Sequence, residues 1–227
     1  MYIRNLLKRA PAGMVFLIMT TSAVGQKRWD APRIVTSYCS GCHGIDGNAQ
    51  LPYFPKIAGL DPKYAEKKLS AFKEPFSPPV DELFSVVAKL SGTHNDPGNV
   101  SHEERINMEG VAHAAKPEVI NEAVLWYAKQ VPTAGHSANK LLIQEGKDLF
   151  MHGVPAQKVL PCMTCHGVSA QGQGLAPSLA GQNGEYIEGQ LAKFRRGDRT
   201  HAPEMTMVTR DLDDEQARAA AAYLQSR

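Results

Sequence analysis

Hydrophobic positions along this chain recur mostly at helical spacing. Residues 139–153, 64–72 and 186–194 each place apolar side chains on one face, which predicts amphipathic helices. Residues 212–225 open with acidic residues and continue with alanines, which favours a helix there. A similar helix is expected to start near Pro117, since proline suits a first helical turn. No useful length alternates as a strand does, so the sequence predicts an all-α fold.

The hydrophobic pattern occurs twice. Residues 55–73 match 177–195 at an offset of 122, and residues 122–130 resemble 217–225 at an offset of 96. A repeat of this length indicates two related domains rather than one. The smaller offset implies about 26 additional residues in the first copy, and they fall within 74–104.

The repeat defines the predicted organisation of the chain. A Pro/Gly/Ser-bearing segment separates the copies and is interpreted as a linker. Within the insertion, prolines precede one short extra helix from about Val80 to Leu90. The predicted parts are a signal peptide at 1–25, a first domain at 26–131 with its insertion at 74–104, a linker at 132–139 and a second domain at 140–227.

The N-terminus has the pattern of an export signal. Three basic residues precede an apolar run at 12–25 that is too short to cross a bilayer comfortably. Small residues allow cleavage before Gln26 or directly after Ala23. An uncleaved membrane anchor is the alternative. The pattern predicts an exported protein.

Composition and charge exclude some functions. Hydrophobic residues make up 43% and charged residues 21% of the 227 residues, as in ordinary soluble domains. The formal charge of +2 includes three basic residues of the signal, and without them 22 basic residues face 23 acidic ones. The sequence contains no basic tract of the kind that binds nucleic acid, so nucleic-acid binding is not expected.

All four cysteines lie in two copies of one pentapeptide, CSGCH at 39–43 and CMTCH at 162–166. The C-x-x-C-H spacing is typical of covalent attachment of a c-type haem. The two sulfurs form thioethers with the haem, and the adjacent histidine reaches the iron from the same side. The sequence therefore predicts two haem c groups, with thioether bonds from Cys39, Cys42, Cys162 and Cys165 and iron ligation by His43 and His166.

Three other uses of these cysteines fit less well. A redox-active C-x-x-C does not require the histidine that follows both copies. Two C-x-x-C pairs of a zinc site usually lie ~15–20 residues apart, whereas these lie about 120 apart. Two structural disulfides are conceivable in an exported chain.

The second axial ligand of each iron decides the chemistry, because methionine, histidine or an open position give different reactivity. In the second domain the candidates are Met205 and Met207, and the position before the last helix favours Met205. Met108 lies at nearly the same distance before the last helix of the first domain. His94, His102 and His113 are rivals that are expected to be exposed, and Met151 and Met163 are expected to pack in the core.

Two prolines occupy equivalent positions in the repeat. Pro55 and Pro177 each open a P-x-[IL]-A-G segment, where a backbone carbonyl could accept the Nδ1–H of the haem-binding histidine and fix the ring. The alternative is a plain loop proline before a helix. Five aromatic residues either line the haem pockets or pack between helices: Tyr64, Trp126, Tyr127, Tyr186 and Tyr223.

With both C-x-x-C-H motifs and the segments 55–73 and 177–195, the mature chain resembles the di-haem cytochrome c4 family. The resemblance implies a bacterial periplasmic protein with tandem class I cytochrome c domains related by a pseudo-twofold axis. It implies iron ligation by His43 with Met108 and by His166 with Met205. The motif that leads into the family's last helix corresponds to Arg199, Thr200, Met205, Thr206, Leu212, Asp213 and Asp214. The insertion at 74–104 departs from the family.

The expected function is electron transfer rather than catalysis, because two axial ligands leave no position for a substrate. The first hypothesis is a carrier between a quinol-oxidising complex or dehydrogenase and a terminal oxidase. The second is a cytochrome subunit of a larger dehydrogenase, and the third is a di-haem oxidoreductase acting on sulfur compounds or peroxide. The expected partners are redox proteins, with membrane association only through them.

Overall fold

In this computed structural model, the described part of the chain comprises residues 30–73, 101–135, 139–199 and 201–227. Of residues 101–107 only the backbone is described. Helices dominate these stretches, and their extended contacts are limited to two isolated antiparallel bridges, Val154–Val159 and Gln173–Ala176. None of the described helices combines the length and apolar character that crossing a bilayer requires. The predicted all-α fold is confirmed.

The first half of the molecule, residues 30–135 where described, begins with a π-helical turn at Val35–Cys39 that runs directly into the first α-helix. Its α-helices are α1 (Ser40–His43), α2 (Pro62–Ala71), α3 (Ser101–Ala114) and α4 (Pro117–Ala128). Prolines begin both α2 and α4, because the first turn of a helix needs no N–H from that residue.

The second half, residues 139–227 where described, repeats this order of elements. Its α-helices are α5 (Lys140–His152), α6 (Met163–His166), α7 (Gly184–Arg196), α8 (Pro203–Thr209) and α9 (Asp214–Gln225). The side chain of Asn139 accepts hydrogen bonds at the start of α5, and Asp213 with Gln216 forms a capping box at the start of α9.

Each half packs its last helix against an element that precedes its C-x-x-C-H motif. In the first half, Ile34 and Val35 contact Trp126 and Tyr127 of α4. In the second half, α5 packs on α9, and the rings of Phe150 and Tyr223 lie 5.4 Å apart. Burial of these faces supplies the hydrophobic stabilisation of each half.

The predicted helices correspond to α2, α4, α5, α7 and α9 within a few residues at each end. Helix α3 was not predicted, because its apolar periodicity is weak. The signal peptide at 1–25, the extra helix at 80–90 and most of the insertion at 74–104 lie outside the described residues.

The first residues of the predicted linker are held by both halves. The Thr133 amide donates to Asn48 Oδ1 of the first half over 2.9 Å, and the Gly135 amide donates to the Gln225 carbonyl of the second half over 2.8 Å. This part of the 132–139 segment is therefore fixed to the folded halves. The exact domain boundaries stay a prediction.

Candidate haem-binding sites

Both C-x-x-C-H motifs end in a short helix that buries the histidine. His43 ends α1 with 8% of its surface exposed, and His166 ends α6 with 6% exposed. Gly44 and Gly167 follow with φ of 76° and 78°. Only glycine adopts such backbone angles without strain. The glycine therefore lets the chain turn away directly after each histidine.

The ring orientation of each histidine is fixed by a proline carbonyl. His43 Nδ1 lies 2.9 Å from the carbonyl oxygen of Pro55, and His166 Nδ1 lies 2.9 Å from that of Pro177. A carbonyl oxygen can only accept, so Nδ1 carries the proton in both rings. The remaining nitrogen, Nε2, then has the lone pair that a metal ion requires.

Burial also keeps both imidazoles in the neutral form. Desolvation lowers the pKa of His43 and of His166, and the hydrogen bonds to Pro55 and Pro177 raise it by less. Neutral imidazole is the form that binds a metal. The tautomer and the charge state of both histidines therefore agree with iron ligation through Nε2.

The first cysteine of each motif has the property of an unreactive thiol. None of the four is joined in a disulfide. Burial raises the pKa of Cys39 and of Cys162 to about 11, with the neighbouring cysteine of the motif as a smaller cause. A redox-active dithiol needs a lowered thiol pKa, so a thiol–disulfide exchange site is not supported.

These residues fit a covalently bound haem. Each site offers two thiols on one helical turn and, next to them, a neutral imidazole with its Nδ1–H already engaged. The described residues contain no cluster of three or more His, Cys, Asp or Glu side chains that could hold a metal ion alone, so they do not build a separate zinc site. A bound haem would supply one-electron chemistry at each site.

The candidate axial methionines occupy equivalent positions. Met108 precedes Pro117 at the start of α4, and Met205 precedes Asp214 at the start of α9, by the same nine residues. Both side chains are partly buried, whereas Met207 on the same helix as Met205 is 73% exposed. The pairing of either methionine with a histidine stays a prediction.

The rival ligands find little support. The side chain of His113 is exposed, as expected, His94 lies outside the described residues, and only the backbone of His102 is described. Met151 and Met163 pack against the core of the second half.

In the motif that leads into the last helix, the Arg199 guanidinium lies over the Phe194 ring and donates to Gln190. Thr200 lies outside the described residues.

The loop that follows the first motif is tied to the last helix of its half. Trp126 Nε1–H donates to the Ile45 carbonyl over 2.7 Å, and the Tyr127 hydroxyl donates to the Gly44 carbonyl over 3.0 Å. Trp126, Tyr127 and Tyr223 all lie in the buried core clusters, so these three aromatic residues pack between elements.

Two buried side chains that the sequence analysis missed connect the halves. Gln182 and Asn183 belong to the second half and hydrogen-bond to backbone groups between Ala49 and Lys56. The repeat carried a signal for them, because Leu60 and Asp61 stand at the equivalent positions. A change of chemistry inside an otherwise matching segment marks a place where the two halves differ in role.

Comparison with known proteins agrees with these sites. The cytochrome c family matches residues 143–227. Cytochrome c-552 of Acidithiobacillus ferridurans is 32% identical over 208 residues, which cover 91% of this chain and 80% of that protein. A thiosulfate dehydrogenase electron acceptor of Stutzerimonas stutzeri is 26% identical, with coverage of 93% of this chain and 90% of that protein.

Among solved structures, the cytochrome c4 of Acidithiobacillus ferrooxidans superimposes with a TM-score of 0.67 at 31% identity, over 84% of this chain and 99% of that one. The arrangement is therefore a tandem of cytochrome c domains with two covalently bound haem c groups, and it transfers electrons. On this identity and coverage, the chain belongs to the di-haem cytochrome c4 family.

Proposed function

We propose that this protein is a periplasmic electron carrier and not itself an enzyme. It accepts electrons from a quinol-oxidising complex or a dehydrogenase and passes them to a terminal acceptor such as an oxidase. The duplicated site carries this proposal, because two buried neutral histidines in one chain provide two iron sites for a relay. Membrane association arises only through the partners.

The proposal assigns a role to each site residue. Each motif attaches one haem by two thioether bonds, and its histidine binds the iron. A methionine would complete the ligands of each iron and leave no position for a substrate. The haem of the first half involves Cys39, Cys42, His43, Pro55 and Met108, and that of the second half involves Cys162, Cys165, His166, Pro177 and Met205.

The test is the set of absorption and magnetic spectra of the oxidised protein, recorded for the wild type and for Met108→Ala and Met205→Ala. Two low-spin His/Met signals are expected in the wild type, and each should vanish with its own methionine. Met207→Ala is the matched control, because this methionine lies on the same helix and is exposed. It should leave both signals unchanged.

A high-spin haem in the wild type would contradict the carrier and would favour an oxidoreductase that acts on sulfur compounds or peroxide. The intact mass of the protein from the periplasm tests the remaining predictions. It should correspond to a chain without residues 1–25 that carries two haems. Limited proteolysis should cut near 132–139 if the domains are 26–131 and 140–227.

A second candidate is a cytochrome subunit that serves one dehydrogenase. It is supported by the similarity to the thiosulfate dehydrogenase electron acceptor. A subunit should copurify with its dehydrogenase at a fixed ratio, whereas a free carrier should purify alone. Stopped-flow reduction of the purified protein by a sulfur-compound dehydrogenase would distinguish a specific acceptor from a general one.

A further inference from the structure

The residues on both sides of Pro55 are held by the second half of the molecule. Gln182 forms a reciprocal pair with the backbone of Lys56: its Oε1 accepts from the Lys56 amide over 2.8 Å, and its Nε2 donates to the Lys56 carbonyl over 2.9 Å. The side chain is only 9% exposed. Two opposed hydrogen bonds from one amide group fix the position and direction of the backbone directly after Pro55.

The residue before Pro55 is held by Asn183. Its Nδ2 amino group lies 2.8 Å from the Phe54 carbonyl, 3.2 Å from that of Leu51 and 3.3 Å from that of Ala49. An amino group has two protons, so the three carbonyls share them, and the Phe54 bond is the shortest. Asn183 is 7% exposed, so water cannot readily replace these bonds.

Asn183 is available for this role because the first half takes over its usual task. It stands at the N-cap of α7, yet its side chain caps no amide there. The Tyr186 amide of α7 donates instead to the Pro52 carbonyl of the first half over 3.1 Å. At the equivalent position, Asp61 caps its own helix by accepting from the Lys63 and Tyr64 amides.

The segment around Pro177 is held within its own half. An antiparallel bridge between Gln173 and Ala176 closes the loop before it, and the Ser178 hydroxyl donates to the Ala170 carbonyl over 3.3 Å. The described contacts that fix the carbonyl of Pro177 are therefore local. The segment around Pro55 has local contacts too, since the Ile57 and Ala58 amides donate to the Gly47 carbonyl over 2.7 and 3.1 Å, but those of Gln182 and Asn183 are added from the other half of the molecule.

We propose that Gln182 and Asn183 are positioning residues for His43, which act across the interface by fixing the Pro55 carbonyl that orients its ring. The first haem site is therefore tuned by the second half in addition to its own, whereas the described contacts around Pro177 come from its own half. This inference rests on the two-haem assignment. A firmly held carbonyl keeps the Nδ1–H bond short and the imidazole electron-rich, which favours the ferric state of the iron it binds.

The test is a redox titration of each haem in the Asn183→Ala and Gln182→Leu variants. Gln182→Leu introduces the residue type that stands at the equivalent position of the first repeat, Leu60. Variants that lack one thioether cysteine, Cys42→Ala or Cys165→Ala, tell the two haems apart. Asn183→Ala should shift the ferrous-to-ferric ratio of the first haem about tenfold towards ferrous, equal to about 59 mV for one electron. Gln182→Leu should shift it less, and the second haem should stay unchanged.

Two further variants separate positioning from stability. Asn183→Leu keeps the approximate size of the side chain and removes the donor without adding a charge, so it should reproduce the shift of Asn183→Ala. Asn139→Ala removes an asparagine that also binds two backbone amides, but at the exposed start of α5, and it should leave both potentials unchanged. The NMR signal of the His43 Nδ1 proton in the ferrous protein should move only in the Gln182 and Asn183 variants.

Amide hydrogen exchange at Lys56 shows whether the contact between the halves is lost in each variant. Faster exchange at Lys56 with an unchanged first potential would overturn the inference, as would equal shifts of both haems. A shift of the first haem towards ferric would also overturn it, since water access rather than ring orientation would then dominate. Absence of two low-spin haems in the wild type would instead refute the proposed function.

Discussion

The two halves bury the same histidine–carbonyl pair but support the loop after the motif differently. In the first half, Trp126 and Tyr127 of the last helix reach back and hydrogen-bond to the carbonyls of Ile45 and Gly44. In the second half, Ala222 stands at the position equivalent to Trp126. The loop after the second motif is closed by its own backbone instead, since the Gly172 amide donates to the His166 carbonyl over 2.8 Å.

This difference shows which features the duplication keeps constant. The distance from the histidine Nδ1 to the proline carbonyl is 2.9 Å in both halves, although the contacts that support the loop after the motif differ. A metal ligand tolerates little change in orientation, whereas many arrangements of neighbouring groups can hold it. We therefore expect the stability of each half to depend to a different extent on its haem and on its packed core. Four experiments test this difference.

The largest effect is expected from removing the cysteines of one motif at a time. Cys39→Ala with Cys42→Ala should remove one covalently bound haem, and Cys162→Ala with Cys165→Ala should remove the other, as measured by intact mass. The first pair should also cost more helix by circular dichroism, because the described core of the first half is one small cluster and the second half has two. A double variant that keeps two haems would contradict the thioether assignment.

A large change in stability is expected at the contact of α5 with α9. A Cβ at Gly146 would overlap the carbonyl oxygen of Ala219, so Gly146→Ala should destabilise the second half by about 1–3 kcal/mol in denaturant unfolding. Gly189 in α7 has open space around it, so Gly189→Ala should instead stabilise by about 1 kcal/mol through helix propensity. Equal effects of the two substitutions would contradict close packing at Gly146.

A smaller effect is expected from the tyrosine that holds the first loop. Burial raises the pKa of Tyr127 far above its usual range, so its hydroxyl stays a donor to Gly44 at all ordinary pH values. Tyr127→Phe should lower the free energy of unfolding by about 1 kcal/mol. The loss should be constant with pH below about 10, where an ordinary tyrosine begins to ionise.

Tyr38→Phe is the control for this substitution, since Tyr38 is 71% exposed, and it should change the unfolding free energy little. A loss at Tyr127 that varies between pH 6 and pH 9 would show that another group, and not the hydroxyl hydrogen bond, carries the effect.

Much of the fold followed from periodicity and repetition alone. The matching segments predicted α2 and α7, and proline and acidic residues marked the starts of α4 and α9. These signals are local, so they survive without knowledge of neighbours. Helix α3 lacked such a signal, because its apolar spacing is weak, and it went unpredicted.

The roles of Asp61 and Asn183 show what local patterns cannot decide. Both residues suit a helix N-cap equally well, and both stand at one. Asp61 caps its helix, whereas Asn183 turns to the carbonyls of the other half. The choice depends on which backbone groups the tertiary structure brings near, and the sequence alone does not contain that distance.

The smallest effect is expected at the start of the last helix of the second half. In the second half, Asp214 at the start of α9 accepts a hydrogen bond from the Arg195 guanidinium of α7 over 2.5 Å. In the first half, α4 is the corresponding last helix, and no side chain caps its start. This hydrogen bond, and then the charge of Arg195, lower the pKa of Asp214. A lowered pKa stabilises the fold above the unfolded value, near 3.9, and this contribution disappears as the pH falls through the folded value.

Asp214→Asn should therefore weaken the second half slightly at neutral pH and not at strongly acidic pH, as measured by unfolding at a series of pH values. The side chain is 86% exposed, so salt should reduce the difference. In an Arg195→Gln background the substitution should have less effect, because the partner is gone and only the attraction between the carboxylate and the helix N-terminus remains. If Asp214→Asn has an undiminished effect in that background, the stabilisation comes from the carboxylate at the helix start alone. The halves would then differ in the residue at the start of the last helix and not in its ion pair.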